Sequence, residues 1–393
     1  MNPYNSIKFH RALINDRARS DAYRDAIHRT VRPGDVVLDI GTGSGLMAFF
    51  ACEAGASRVY AVDSSDIITL AGRLAKENGL QDRIQFIKGD IRSIAVAEKV
   101  DVITSELITD VVIGERMEEL LAICRERFLK PGGHIIPKQV ELNVAPIESN
   151  DDYQKLDFVS PDVYGLEFKS AREVAFNETY SIRLQPEFLL AAPQQAYRMN
   201  STDCAPLDHP QAELTFSITR PGILHGFGAW FSSELAEGSF LSNYPSSTSS
   251  WSNRLFPLLS PVEVKPGYLV RLRLSGFHPP GTSLVWQWTT EVLQSDARTH
   301  NLSSVAEFKQ STFAHSIHSL ESVLEASSGF RPTLSSAGRR VASLVKRLDA
   351  NLSVGELTTQ LVAEYPEVWQ GEREAKEFVQ LILLGFHRNG YVE

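Results

Sequence analysis

The sequence has little of what marks secreted, membrane-spanning or metal-binding proteins. Only three of its 393 residues are cysteines (Cys52, Cys124 and Cys204), and their spacing matches neither a zinc site nor a disulfide framework. No apolar run approaches the ~20 residues that a transmembrane helix needs, and the N-terminal segment contains no apolar signal-peptide core. We therefore expect a cytoplasmic protein with no membrane partner and no metal.

An excess of positive charge is also missing. Lys and Arg number 39 against 48 Asp and Glu, which gives a net charge of −9 at pH 7. This balance disfavours broad binding to nucleic acid or to anionic membranes, and it tolerates a basic substrate. With 43% hydrophobic and 22% charged residues, the composition is that of an ordinary globular protein. A chain of this length exceeds what one hydrophobic core fills, so we expect about two or three domains.

An apolar run followed by a glycine-rich turn lies at residues 36–45, with the sequence VVLDIGTGSG. Gly41 and Gly43 would let the backbone approach a ligand closely, and a helix of small and apolar residues follows. The glycine pattern alone could equally serve a dinucleotide. Asp39, two residues before the first glycine, would be a fixed anion below the turn, and it favours a ligand with a cationic amino-acid or sulfonium group.

Further acids follow other predicted strands of the same sheet. Asp63 ends a strand 22 residues after Gly41, which is the right place for an acceptor of ribose hydroxyls. Asp90, together with the backbone N–H of Ile91, is suited to holding an adenine. Strands alternate with helical stretches as far as the turn and strand at 129–137, and this alternation predicts a doubly wound α/β sheet.

Two glutamates flank a loop after the predicted strand at 100–103. Glu106 emerges from the C-terminal edge of that strand, where open α/β sheets bind ligands, and Glu115 follows nine residues later. Carboxylates that enter an apolar loop carry a large desolvation cost unless a cation lies between them. We interpret the two glutamates as a clamp for a cation. The alternative is a solvated loop before a helix whose first turn carries acids, which the helix dipole favours.

The order of these motifs resembles that of the class I S-adenosylmethionine-dependent methyltransferases. The loop from Glu106 to Glu115 resembles the double-glutamate loop of the protein arginine methyltransferases and has the same spacing. The segment at 10–23 resembles the cofactor-lid motif of that family. Tyr4 matches the second tyrosine of the family's first motif, whereas the first tyrosine is missing.

The resemblance implies a role for each matched residue. S-adenosyl-L-methionine would be the cofactor and S-adenosyl-L-homocysteine the product. Arg19 would pair with the cofactor's methionine carboxylate, and Glu106 and Glu115 would be the catalytic residues that hold a substrate guanidinium. The expected cofactor-binding residues are His10, Arg19, Asp39, Gly41, Gly43, Asp63, Ser64, Asp90, Ile91 and Met117. The expected substrate-binding residues are Tyr4, Asp16, Asp110 and Trp251.

Three of these assignments have simpler alternatives. Taken in isolation, Arg19 could form a surface salt bridge, Met117 could belong to the core, and His10 could be a buried histidine whose hydrogen bonds are satisfied.

The sequence also departs from the family around the clamp. Leu107 to Asp110 replaces the family's usual Trp-Met-Gly-Tyr, which places a third acid at the mouth of the site. Arg92 stands where the family has an adenine-contacting glutamate, and for that reason we assign the contact to Asp90.

A further departure concerns the mouth of the substrate site. Ser249-Ser250-Trp251 stands where the family has a Thr-His-Trp loop. The missing histidine normally pairs with the aspartate matched by Asp16, so we expect that pair to be broken and the mouth to be rebuilt. Trp251 could form a wall of the substrate pocket or pack within the barrel.

After a Rossmann-like domain at residues 1–140, the rest of the sequence predicts two more domains. Residues 141–300 consist of short alternating strands separated by turns, which predicts antiparallel β structure. This part resembles the family's β-barrel, with a dimerisation arm at about 163–190, and implies a homodimer. Residues 301–393 comprise a connector, three helical patterns with a capping box at 353–356, and a terminal strand. They suggest a winged-helix-like module that weakly resembles leader-peptide-binding domains. Its balanced charge disfavours DNA binding, and a purely structural tail is the alternative.

Together these features predict an arginine N-methyltransferase. Two carboxylates would localise charge on one guanidino nitrogen and aim the other at the methyl group. The substrate could be arginine in a peptide or protein, or free L-arginine, whose α-ammonium group Asp110 could bind. One alternative is methylation of another guanidine or amine metabolite. The other is a non-catalytic scaffold, and the presence of Arg19, Asp63 and both clamp glutamates disfavours it.

Overall fold

The computed structural model describes residues 3–112, 117–157, 164–204, 211–245, 247–277, 284–295, 301–315, 324 and 328–386. The chain divides into two compact units, Met1–Ile317 and His318–Glu393. No helix in the described part of the chain combines the length and the apolar character that crossing a membrane requires.

The first unit begins with a five-stranded parallel sheet. Its strands are β1 (Val36–Ile40), β2 (Arg58–Asp63), β3 (Ile84–Lys88), β4 (Val100–Ser105) and β5 (Leu129–Ile136). The helices of this region are α1 (Ile7–Asn15), α2 (Arg17–Thr30), α3 (Leu46–Glu53), α4 (Ile68–Glu77) and α5 (Met117–Phe128). Every residue of β1 is buried, because a central parallel strand is covered on both faces.

The strand order β3-β2-β1-β4-β5 confirms the predicted doubly wound sheet. The order reverses at β1, which pairs with β2 on one side and β4 on the other. Ile40 is in register with Ser105, so the glycine turn after β1 and Glu106 after β4 leave the sheet side by side. Ligands of open α/β sheets bind at such a switch point.

Two antiparallel sheets complete the first unit and confirm the predicted β structure. One contains β6 (Gln139–Ile147), β7 (Tyr180–Ile182), β8 (Gln194–Asn200), β10 (Gly222–Ala236), β11 (Ser239–Ser242) and β12 (Asn253–Val264). The other contains β9 (Gln211–Ser217), β13 (Tyr268–Phe277), β14 (Val285–Ser295) and β15 (Leu302–Ser311). Buried apolar residues of both sheets and of the parallel sheet form one continuous core. The last strand, β15, lies within the segment that the sequence suggested was a connector.

Two short helices, α6 (Asn150–Leu156) and α7 (Lys169–Ala175), lie between β6 and β7. The second belongs to the predicted arm, whose first residue lies outside the described residues. Tyr164 is 93% exposed and Leu166 66% exposed in the same segment. An arm that presents apolar side chains to solvent is suited to covering by another surface.

The second unit contains α8 (Ser336–Val345), α9 (Val354–Glu364) and α10 (Glu372–Phe386). They pack around a small apolar cluster formed by Leu344, Leu357, Leu361 and Val379. Ser353 and Glu356 form the predicted capping box at the start of α9. The terminal strand predicted near 389–392 lies outside the described residues.

Candidate functional site

A cavity of about 600 Å³ opens at the switch point of the parallel sheet. Most of the residues that the sequence singled out line it, although they come from distant parts of the chain. They are Tyr4, His10, Arg19, Asp39, Gly41, Gly43, Asp63, Ser64, Asp90, Ile91, Glu106, Asp110 and Trp251. Their individual roles toward a cofactor or substrate stay predictions.

The glycine turn forms the floor of this cavity and has no room for side chains. Gly41 and Gly43 have φ values of +68° and +54°, a conformation that favours glycine. A Cβ at Gly41 would lie 3.1 Å from Leu107, and one at Gly43 would lie 3.0 Å from His10. The N–H of Gly43 donates to Asp63 at 2.8 Å, which fixes the turn against the end of β2.

Asp39 lies under the turn and is 1% exposed. Burial is the main cause that raises the pKa of its carboxyl to about 7, and the nearby charge of Asp63 acts in the same direction. A hydrogen bond of 2.6 Å from the Thr42 hydroxyl and the charge of Arg19 oppose this rise. With this raised pKa the carboxyl would be partly protonated near neutral pH, and its role as a fixed anion toward a cofactor stays a prediction.

This raised pKa predicts a pH-dependent stability. An unfolded Asp has a pKa of about 3.9, so above about pH 4 and up to about pH 7 the folded protein keeps a proton that the unfolded chain has lost. The free energy of unfolding should fall as pH rises through that window. Asp39→Asn, which stays neutral and keeps an acceptor for Thr42, should be more stable than wild type at pH 8 by about 1–3 kcal/mol.

Urea unfolding of the protein without added cofactor, at pH 5.5 and pH 8, measures this difference. The advantage of Asp39→Asn should be larger at pH 8, and the exposed residue Asp82 offers a control in Asp82→Asn. An advantage that is equal at both pH values would show that Asp39 does not titrate in this range.

Arg19 and Glu106 form a buried ion pair at the centre of the cavity wall. Their side chains are 7% and 10% exposed. The Nε of Arg19 donates to Glu106 Oε2 at 2.8 Å, and its Nη2 makes a short contact with the same oxygen. Its Nη1 donates to the Leu13 carbonyl at 3.0 Å. The predicted carboxylate-binding residue and the first predicted clamp residue are thus in direct contact, and the surface salt bridge considered for Arg19 is excluded by its burial.

Three predicted residues are not among the described residues that line the cavity. Glu115 lies outside the described residues. Met117 is fully buried in the core at the start of α5, so in the described structure it packs there and is not part of the cavity lining. Asp16 caps the N-terminus of α2 by accepting the N–H of Arg19 at 3.1 Å, and it lies behind the cavity wall.

Asp16 forms a hydrogen bond with the mouth loop (residues 249–252), although that loop lacks the family's histidine. Its Oδ2 accepts the backbone N–H of Ser250 at 2.7 Å. Burial acts to raise the pKa of Asp16, but the hydrogen bonds from Ser250 and from the Arg19 N–H outweigh it and hold the pKa below its usual value. The side-chain pair with a histidine is absent, as expected, and the backbone N–H of Ser250 in the same loop donates to Asp16 in its place.

Trp251 combines the two roles that the sequence left open. It lines the cavity, and its ring packs edge-on against Phe231 with centroids 5.1 Å apart. Its Nε1 donates to the Ile108 carbonyl at 3.2 Å. The mouth loop is thereby attached to the segment that follows Glu106.

Two acids of the cavity have cationic partners that the sequence did not suggest. Asp110 accepts both its hydrogen bonds, of 2.8 and 2.6 Å, from Nη2 of Arg254, and their side chains are 13% and 24% exposed. Arg92 donates to both carboxylate oxygens of Asp90, and this hydrogen bonding is the main cause that lowers the Asp90 pKa. An α-ammonium group at Asp110, or an adenine amino group at Asp90, would have to share a carboxylate that an arginine already binds.

Sequence reasoning missed much of the apolar lining and one polar contact. Phe9, Ile14, Met47 and Leu120 line the cavity, but their apolar side chains read as ordinary core in the sequence. Ser65 donates from both its N–H and its hydroxyl to Asp63 Oδ1, at 2.8 and 2.6 Å. The sequence signal that could have indicated this contact is the position of Ser65, two residues after the acid that ends β2.

Comparisons with known proteins agree with this architecture. One family model, described as a methyltransferase domain, matches residues 37–133, and a second, described as a PRMT5 oligomerisation domain, matches residues 142–323. Among solved structures, the chain is similar to Arabidopsis thaliana protein arginine methyltransferase 10, with a TM-score of 0.69 and 24% identity over 79% of this chain and 99% of that one. A Trypanosoma brucei structure, titled as a PRMT1 enzyme-prozyme heterotetrameric complex with AdoHcy, has a TM-score of 0.71 and 22% identity over 79% and 100% of the two chains. These likenesses confirm the predicted fold.

Two curated relatives are closer in sequence. Probable protein arginine N-methyltransferase 6.2 of Oryza sativa subsp. indica is 36% identical over 59% of this chain, and the match spans 60% of the rice protein. Protein arginine N-methyltransferase 6 of Xenopus tropicalis is 30% identical over 58% of this chain and 71% of its own length. The motifs of the cavity, the fold and these matches agree, and the chain belongs to the protein arginine N-methyltransferase family.

Proposed function

We propose that this protein transfers a methyl group from S-adenosyl-L-methionine to a guanidino nitrogen of arginine in a protein or peptide. The observation that carries the proposal is the contact between Arg19 and Glu106 beside the glycine turn. It places Arg19, which can bind the carboxylate of the cofactor, next to Glu106, which can bind the guanidinium of the substrate. The names of the rice and frog relatives, which are protein arginine N-methyltransferases, support the same activity.

The cavity fits S-adenosyl-L-methionine in size and in its polar groups. Its volume of about 600 Å³ falls within the range of small-molecule sites. The guanidinium of Arg19 matches a carboxylate in shape and charge. Asp63 has about four acceptor positions and accepts three hydrogen bonds from Gly43 and Ser65, which leaves about one position for a ribose hydroxyl. The glycine turn lets a ligand lie close to the backbone.

In the proposed reaction, the residues of this chain act mainly by positioning the substrate against the methyl donor. When bound, S-adenosyl-L-methionine would supply an electrophilic methyl group on a sulfonium, and S-adenosyl-L-homocysteine would be left. A guanidinium has a pKa above ~12 and delocalised charge, so it is a poor nucleophile. Glu106 and Glu115 would concentrate the positive charge on the nitrogens that they hold and direct the remaining nitrogen at the methyl group. As that nitrogen forms its new N–C bond, one of the two carboxylates would accept the proton that it releases.

Arginine within a chain is a better candidate substrate than free arginine. The names of the relatives specify proteins as substrates. The one group assigned to an α-ammonium, Asp110, is bound by Arg254 through both carboxylate oxygens, whereas Arg19 donates to Oε2 of Glu106. Free arginine is therefore not part of this proposal.

A product assay tests the substrate class. The protein is incubated with isotope-labelled S-adenosyl-L-methionine and, separately, with an arginine-containing peptide and with free L-arginine, and products are identified by mass. We expect methylarginine in the peptide and at least about tenfold lower turnover of free arginine, because the latter brings a charged α-ammonium to a mouth where Asp110 is already bound by Arg254. A matched peptide with lysine in place of arginine is the control. Faster turnover of free arginine, or methylation of the lysine peptide, would contradict the proposal.

We also propose that the protein works as a homodimer. The exposed apolar side chains of the arm, Tyr164 and Leu166, would be covered by the second copy. The match of residues 142–323 to a model described as an oligomerisation domain supports this assignment.

A further inference from the structure

Arg183, which follows directly after β7, binds three successive carbonyl groups of the mouth loop (residues 249–252). Its Nη1 donates to the carbonyls of Ser249 at 3.0 Å and Trp251 at 2.6 Å. Its Nη2 donates to the Ser250 carbonyl at 3.0 Å. One planar guanidinium therefore binds the backbone of three consecutive loop residues.

Two other polar side chains also hold the same loop. Asp16 accepts the Ser250 N–H at 2.7 Å, and the side-chain amide of Asn243 donates to the Ser252 carbonyl at 2.6 Å. The loop has only one large apolar side chain, that of Trp251, because its other members are serines. Its conformation consequently depends on these hydrogen bonds more than on packing.

The loop is in turn connected to the proposed catalytic residue. The indole N–H of Trp251 donates to the carbonyl of Ile108, two residues after Glu106. Ser250, Trp251 and Ser252 line the cavity, whereas Arg183 is not among the described residues that line it. Arg183 thus contacts the cavity only through the loop that it holds.

We propose that Arg183 is a positioning residue for the arginine substrate. Arg183 holds the mouth loop in place. Trp251 of that loop then forms a wall of the substrate channel and supports, through its hydrogen bond to Ile108, the segment that carries Glu106. A lysine would not replace it, because a single ammonium group cannot reproduce the planar arrangement of donors that spans three carbonyls. This inference rests on the proposed function, since it concerns the substrate side of the same site.

The position of Arg183 makes the inference testable. The side chain is exposed, so its removal opens no cavity in the core. For Arg183→Ala we expect the KM for an arginine peptide to rise about tenfold, with a smaller loss in kcat, because loop order contributes to substrate binding. Arg183→Lys should recover only part of the loss. The Kd for S-adenosyl-L-homocysteine should stay within about twofold, because Arg183 is not among the described residues that line the cavity.

Amide hydrogen exchange of the loop gives a readout that does not depend on activity. Exchange at Ser250 and its neighbours should become about tenfold faster in Arg183→Ala. The matched control is Arg220→Ala, which removes a guanidinium bound to the carbonyls of Glu187 and Leu189 and to the Glu148 carboxylate, none of which belongs to the mouth loop. The control should change neither the loop exchange nor the peptide KM.

The two proposals fail in different ways. Unchanged loop exchange in Arg183→Ala, or faster exchange with an unchanged peptide KM, would overturn the positioning role. A wild-type protein that methylates no arginine peptide would overturn the proposed function itself, and the role of Arg183 with it. The first failure is visible only in the variant and the second already in the wild type.

Discussion

Glu106→Gln is expected to lower the rate of methyl transfer to an arginine peptide by about 10²- to 10³-fold, while S-adenosyl-L-methionine still binds. Gln has the shape of Glu but no negative charge, so it cannot hold a guanidinium by a charge-assisted pair or accept its proton. Cofactor affinity should persist or increase, because a neutral amide competes less strongly than a carboxylate for the guanidinium of Arg19.

Single-turnover methyl transfer and calorimetric titration with S-adenosyl-L-homocysteine measure the two quantities separately. Glu53→Gln is the matched control, since Glu53 pairs with Arg24 on the surface and is not part of the described cavity lining. Glu115→Gln should behave like Glu106→Gln if both residues form the clamp. A Glu106→Gln protein within about twofold of the wild-type rate would rule out the clamp mechanism.

Arg19→Ala has the second large expected effect, an increase of about 10²-fold in the Kd for S-adenosyl-L-homocysteine. The substitution removes a buried guanidinium with five N–H groups, enough to bind Glu106 and a cofactor carboxylate together. It should also lower stability by about 3–5 kcal/mol, since removing one partner of a buried ion pair leaves the other with its desolvation cost. Arg19→Lys should recover little, because lysine lacks the planar fork.

Arg24→Ala provides the comparison on the same helix. Arg24 forms an ion pair that is half exposed, and such surface pairs contribute little to stability. Titration calorimetry and thermal unfolding of the two variants should therefore give clearly different results. If Arg19→Ala bound the cofactor product as tightly as Arg24→Ala, the assignment of Arg19 to the cofactor carboxylate would be wrong.

The parallel sheet and the cavity floor could be predicted from the sequence because their signals are local. The apolar run of β1, the positive-φ glycines after it and the acid that ends β2 lie within short segments, and each has one dominant physical explanation. Those positions then meet in space because parallel strands place their C-terminal ends at one edge of the sheet.

The ionic partners within the cavity could not be predicted, because they depend on distant residues and on burial. Asp110 and Arg254 are 144 residues apart, and the sequence offers no signal that pairs them. Arg183 reaches carbonyl groups 66 to 68 residues away, which no side-chain pattern records. The raised pKa of Asp39 follows from burial under the turn. In the sequence the same residue reads simply as an anion.

The most direct test of the account is a crystal structure of this protein with S-adenosyl-L-homocysteine and an arginine peptide. The account predicts the adenosyl group at the turn of Gly41 and Gly43, the cofactor carboxylate on Arg19, and the peptide guanidinium between the carboxylates of Glu106 and Glu115. An adenosyl group bound elsewhere, or glutamate side chains that point away from the guanidinium, would contradict it.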